Sequence, residues 1–152
     1  MNGKVEAIYI GAESQGPMRT VESVRAVAGH GLEGDRFWQE NTILANKRKP
    51  DREVTLIEAE AIEAIRREDG VELLPSESRR NLVTRGVALN HLVGREFRVG
   101  GIALRGIRLC EPCRHLESMT RGGVLKGLIH RGGLRAQILG EGVLHVGDPI
   151  SD

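Results

Sequence analysis

Polar and apolar side chains alternate along Lys4-Val5-Glu6-Ala7-Ile8-Tyr9-Ile10, and the run stops at Gly11, which predicts a half-buried strand. The same alternation returns at 21–27, 53–56, 96–99, 102–109, 134–139 and 143–146, giving about seven short strands. Gly100-Gly101 joins two of them as a hairpin, and Gly140-Glu141-Gly142 predicts a closing hairpin between 134–139 and 143–146. A helical period dominates at 58–69: Ala61, Ile62 and Ile65 share a face, Gly70 stops the run, and Thr55 three residues before Glu58 reads as a capping box. One or two short helices are expected over 116–129, broken at Gly122-Gly123, and a single helical turn at 90–94. Segments 13–17, 29–36, 38–51 and 75–86 read as loops, with Lys47-Arg48-Lys49-Pro50 a solvated, mobile basic run. These elements predict one domain over 1–152, mainly β with a few helices (α+β), its sheet bent or closed like a barrel.

Composition agrees: 20 glycines against four aromatic residues favour many turns around an aliphatic core. The chain is long enough to bury that core without disulfides or a structural metal. A net charge of +1 provides no general field for nucleic acid or membrane, so neither is expected as a partner. Of 22 basic residues only Lys4, Lys47, Lys49 and Lys126 are lysine. Arginine suits bidentate recognition of phosphate or carboxylate, although codon usage in a GC-rich genome accounts for most of these positions. The first residues lack a secretory signal and no run reaches membrane-spanning length, so a cytoplasmic protein with reduced thiols is expected.

The chemistry is expected at 108–117, where Cys110 and Cys113 flank Pro112 and His115 follows. Pro112 should end the incoming strand in a turn, and Arg108, Arg114 and His115 are candidates to stabilise a thiolate. A zinc site would need four ligands and the chain has no second cysteine pair; a thioredoxin-like dithiol would need a βαβ setting. One nucleophilic or metal-ligating cysteine, with the other auxiliary or structural, demands least. Glycines and arginines cluster at 29–36, 79–81 and 131–135, as an anionic ligand near a cysteine would require.

The ordered motifs Gly31-Leu32-Glu33-Gly34-Asp35-Arg36, Arg79-Arg80-Asn81-Leu82, Val93-Gly94-Arg95, Pro112-Cys113, Arg131-Gly132-Gly133 and Gly147-Asp148 resemble the MOSC domain, named for the C-terminal domain of molybdenum cofactor sulfurase. The resemblance covers almost the whole chain. It implies a mostly β, barrel-like fold that binds the molybdenum cofactor (molybdopterin), in sulfur transfer or in reduction of N-hydroxylated compounds. Cys113 would be the molybdenum ligand or persulfide carrier. Gly34, Asp35, Arg36, Arg80 and Asn81 would line the cofactor pocket, with Arg131 and Arg135 as the late basic positions. Cys110 departs from the amidoxime-reducing members and reads as a resolving thiol or a buried small residue. A pyridoxal phosphate-dependent cysteine desulfurase or a redox protein is the expected partner. A dimer or partner would close the pocket where longer members carry an N-terminal β-domain. The alternative is a non-catalytic sulfur or cofactor carrier.

Overall fold

A computed structural model describes residues 2–152. Its elements are β1 (Gly3–Ile10), β2 (Arg19–Val21), β3 (Ser23–Val27), β4 (Gly31–Leu32), α1 (Arg36–Ile43), β5 (Val54–Glu58), α2 (Ala59–Asp69), β6 (Leu82–Arg85), β7 (Glu96–Val99), β8 (Ile102–Leu109), α3 (Arg114–Met119), α4 (Val124–Leu128), β9 (Leu134–Ile138), β10 (Glu141–His145) and β11 (Pro149–Ser151). Seven strands close a barrel in the order β1-β11-β7-β8-β9-β5-β6, β6 returning to β1, with β2 as an extra strand beside β1. β10, β3 and β4 form a separate small sheet. The mainly β, closed-sheet expectation therefore stands. No helix of the described residues is long and apolar enough to cross a membrane.

The barrel's named strands pair antiparallel except β5 and β6, whose parallel pairing requires a crossover, and α2 is that crossover. α2 buries Ala61, Ile62 and Ile65 as its period predicts, and Gly70 ends it in the left-handed region at φ 66°. Its capping box does not form: Glu58 is the N-cap and makes no side-chain cap bond, while Thr55 is buried in β5 against Asn81.

β1 carries a register shift between Val5 and Ala7 in its pairing with β6. A shift of one residue exchanges the faces. Val5, Ile8 and Ile10 thus point into the barrel core with Leu56, Leu82, Leu104 and Leu134. Ala7 and Tyr9 pack outward onto a second cluster, built by Ile62 and Ile65 of α2, Leu116 of α3, and Val124 and Leu128 of α4. This outer cluster docks the helices against one side of the barrel and brings the turn before α3 to its surface.

Four expectations change. Residues 21–27 are not one strand: β2 stays with the barrel and β3 begins the small sheet. The loop expected over 38–51 contains most of α1, whose buried positions, Phe37 and Asn41, are too few to print an apolar face. Residues 82–85 form β6, buried on both faces and so without alternation. The closing hairpin does not form: β9 pairs with β8 and β5, whereas β10 pairs with β3. Closure falls instead to β11, which bridges β7 and β1.

Glu53 links the two sheets. Its Oε1 accepts from Ile138 N at 2.9 Å, at the end of β9 beyond its pairing with β5, and from Gly29 N at 3.3 Å, in the turn after β3. Burial pushes this carboxyl above its ordinary value, opposed by those two N–H donors and by Arg48 and His30. A raised carboxyl pKa contributes stability below its unfolded value, and that contribution is lost as pH climbs through the folded value. Glu53→Gln keeps an oxygen for both bonds and removes the charge. Denaturant titrations should show the variant gaining on the wild type as pH rises from about 4 to 7. A difference independent of pH would refute this account.

Candidate functional site

Three chain segments meet at Asn81, which is fully buried. Its Oδ1 accepts from Thr55 N at 3.0 Å and Thr55 Oγ1 at 3.1 Å; its Nδ2 donates to Tyr9 O at 3.1 Å and to Asp35 Oδ1 at 3.3 Å. Asp35 follows Gly34, which takes φ 89°, and is the N-cap of α1: its Oδ2 accepts from Phe37 N at 3.4 Å. Oδ1 also accepts from Gly11 N at 3.0 Å. The Gly-Asp-Arg and Arg-Asn motifs, distant in sequence, are thereby joined at the end of β1.

Three guanidinium groups gather around this core. Arg36 donates through Nη2 to Arg79 O at 3.1 Å and through Nη1 to Asp35 Oδ1 at 3.3 Å, with its guanidinium 4.7 Å from the centre of the Phe37 ring. Arg79, in the left-handed region at φ 61°, donates to Gly16 O at 2.5 Å and Ser14 O at 3.0 Å, pinning the 13–16 loop. Arg80 is buried and donates to three carbonyls: Gly132 at 2.8 Å, Ser78 at 3.0 Å and Cys110 at 3.0 Å. Burial pushes Arg36 below its ordinary value, opposed by Asp35 and reinforced by Arg79 and Arg80. Arg79 is lowered by burial too, again opposed by Asp35.

The cysteine turn lies against the same cluster. β8 ends at Leu109, and Cys110 is buried, its N–H donating to Gly133 O at 2.7 Å. Cys113 is exposed at the N-cap of α3, where its Sγ accepts from Leu116 N at 3.4 Å. Both thiols are free. A Cβ on Gly132 would stand 2.5 Å from Cys110 O and 2.9 Å from Pro112 Cδ, so only glycine lets the start of β9 approach this turn. Gly133, at φ 116°, is held equally closely against the Leu56 carbonyl.

Gly34, Asp35, Arg36, Arg80, Asn81 and the Cys110 backbone are thus brought together, with Cys113 three residues beyond. Arg131 goes elsewhere: it lies 2.8 Å from Glu68 and 3.7 Å from Asp69 at the end of α2. Arg135 donates to Asp51 O at 3.2 Å and leaves a buried Nε without a partner. Arg108 pairs with Asp51 at 2.9 Å, while Arg114 and His115 are exposed. Sequence reasoning missed Thr55 as the partner of Asn81; Arg79, part of the expected 79–81 arginine segment but not of the expected pocket lining, joins the cluster through its carbonyl and guanidinium. Among the described residues, no three His, Cys, Asp or Glu side chains converge to hold a metal ion.

Asn81→Ala would leave Thr55 N, Tyr9 O and Asp35 short of buried partners, and urea titration should show a loss of about 3 kcal/mol. Cys113→Ser, on the surface, should stay within about 0.5 kcal/mol of wild type. Similar losses in the two variants would contradict this division between framework and reactive group.

The fold resembles that of YuaD from Bacillus subtilis, with a TM-score of 0.78 at 19% identity over 99% of this chain and 94% of that chain. YiiM from Geobacillus stearothermophilus gives 0.70 at 16% identity, over 98% of this chain and 74% of that one. YiiM from Escherichia coli gives 0.70 at 19%, over 99% and 69%. At these identities the likeness concerns the fold alone. No curated protein sequence matches the chain. The model of the MOSC domain matches residues 43–151, a span that contains Arg80, Asn81, Cys110 and Cys113, and the chain belongs to the MOSC domain family.

Proposed function

We propose that this protein binds the molybdenum cofactor (molybdopterin) and acts in sulfur transfer or in the reduction of N-hydroxylated compounds, with Cys113 as metal ligand or persulfide carrier. The observation that carries the reading is the charge imbalance of the guanidinium cluster. Arg36, Arg79 and Arg80 share one nearby carboxylate, Asp35, which also accepts from Gly11 N, Phe37 N and Asn81 Nδ2. Arg80 is buried and bonded to carbonyls, and Arg36 and Arg79 lie half-buried beside it; such cations are stabilised by an anion of matching geometry, and a pterin phosphate offers one.

The residues present fit the group. Arg36 and Arg80 would bind and orient its phosphate, held in place by Asp35 and Asn81. Arg135, turned to Asp51, and Arg131, engaged by Glu68 and Asp69, are left out of the ligand set. Cys113 presents a thiol at the surface, where it can meet a metal or accept sulfur. When bound, the cofactor supplies a metal centre capable of two-electron chemistry. Cys110, buried with both backbone groups engaged, serves to pack the turn and anchor Arg80 rather than to resolve a persulfide. Sulfur loading would come from a cysteine desulfurase, and reduction would need a redox partner.

Expression in a cofactor-producing host tests the reading through metal and pterin content. Wild type should carry both, Cys113→Ser should keep pterin and lose metal, and Arg80→Ala should lose most of the pterin while remaining folded by circular dichroism. Pterin absent from all three proteins would overturn the proposal. Turnover of an N-hydroxylated substrate that disappears in Cys113→Ala favours the reductase branch; bound cofactor without turnover favours the carrier.

A further inference from the structure

α1 begins at the site, with Asp35 as its N-cap, and ends on the surface at Ile43, which is 74% exposed, followed by Leu44 at 41%. The chain then runs exposed through 45–50. Lys47, Lys49 and Arg52 lie beside Leu44 around a cavity of about 260 Å³. Arg48 turns back to the body of the protein, donating to Ala45 O and Gly29 O at 3.0 Å each. Arg108 from β8 and Arg135 from β9 converge on Asp51. Six cations therefore lie among four carboxylates: Asp51; Glu40, held by Arg52 at 2.9 Å; Glu53, near Arg48; and Glu13, which lines a cavity with Ile43, Leu44 and Arg52. The whole chain carries only +1, so this face holds a positive excess that the remaining surface offsets.

The segment is not a loose basic tail. Asn41 Nδ2 donates to His30 O at 2.7 Å and Arg52 O at 2.9 Å, closing the two ends of the 41–52 segment on each other, and Arg48 ties its middle to Gly29. Leu44 beside Lys47, Lys49 and Arg52, with exposed Ile43 next to it on α1, has the anatomy of a protein interface, an apolar anchor with charges at its edge. Preorganisation lowers the entropy lost on association.

We propose that the α1 end and the 45–52 loop form a docking surface for an acidic protein that presents an apolar side chain among carboxylates. Charge complementarity selects the acidic partner. Its exposed centre is aliphatic, whereas a single-stranded nucleic acid stacks its bases on aromatic rings; the nearby rings of His30 and Trp38 are packed against each other with centroids 5.1 Å apart. The proposal does not depend on what the arginine cluster binds; if the cofactor reading holds, the acidic partner is the sulfur or electron donor, brought up at the far end of the helix that carries Arg36.

The test is fluorescence anisotropy with a labelled peptide of glutamate blocks around a central phenylalanine, on the full chain. Binding should weaken about tenfold between roughly 50 and 300 mM salt. It should weaken at least about tenfold in Lys47→Glu/Lys49→Glu and several-fold in Ile43→Ser/Leu44→Ser, all positions being exposed. Arg105→Glu, an exposed charge reversal on β8 away from the loop, controls for net charge and should change binding little. No binding, equal weakening by Arg105→Glu and by the loop variant, or tighter binding of a single-stranded oligonucleotide would each overturn the proposal. Pterin content in Lys47→Glu/Lys49→Glu, whose positions line no cavity with Arg36, should match wild type, which keeps this outcome separate from that of the cofactor proposal.

Discussion

The buried amide of Asn81 is the constraint on which the site depends. It satisfies the N–H and hydroxyl of Thr55 in β5, the carbonyl of Tyr9 in β1 and the carboxylate that caps α1. Each of those groups is withdrawn from water and would be costly to leave unpaired. One side chain therefore ties β1 to β5 at the start of β6 and holds the first turn of α1 against them. Arg80 precedes it in the chain and is carried inward with it, to meet the cysteine turn from behind. Framework and chemistry are neighbours in sequence because they are coupled in space.

The cationic cluster has an unusual set of partners. Arg79 and Arg80 are held by main-chain carbonyls, which orient a guanidinium without neutralising it. An internal carboxylate would hold the arginines just as firmly but would compete with an incoming anion. Carbonyls leave the charge available, and at Arg80 burial keeps water from screening it. Asp35 is the exception, and its role is mainly structural: capping a helix and accepting from β1 and Asn81.

Much of this was legible in the sequence wherever the signal is local. Alternation at 4–10 and across Gly100-Gly101, and the helical period ending at Gly70, correspond to β1, the β7–β8 hairpin and α2. Signals that depend on partners were not legible. Alternation marks 143–146 as a strand but carries nothing to choose β3 over β9 as its neighbour. β6 lies between two apolar clusters and loses its period; α1 buries too little to show one. Thr55 looks like a cap because Glu58 follows at the right spacing, yet the amide of Asn81 claims its hydroxyl. At the site, Asp35, Arg36, Arg80, Asn81 and Cys113 stood out as motif residues. The capture of Arg131 by Glu68 and Asp69 arises only once α4 packs against α2.

The barrel is sealed by β11, where Ile150 pairs with Gly3 on one side and Val99 on the other. That seam joins the two extremes of the described chain, a loop closure of nearly maximal length. β11 follows every other barrel strand, the helices and the cysteine turn in the chain, so all of these can form before the seam exists. Until β11 docks, the chain is an open, C-shaped sheet whose unpaired edges at β1 and β7 are the segments most exposed to mispairing, and the pairing of three residues, Pro149–Ser151, converts it into a closed cylinder.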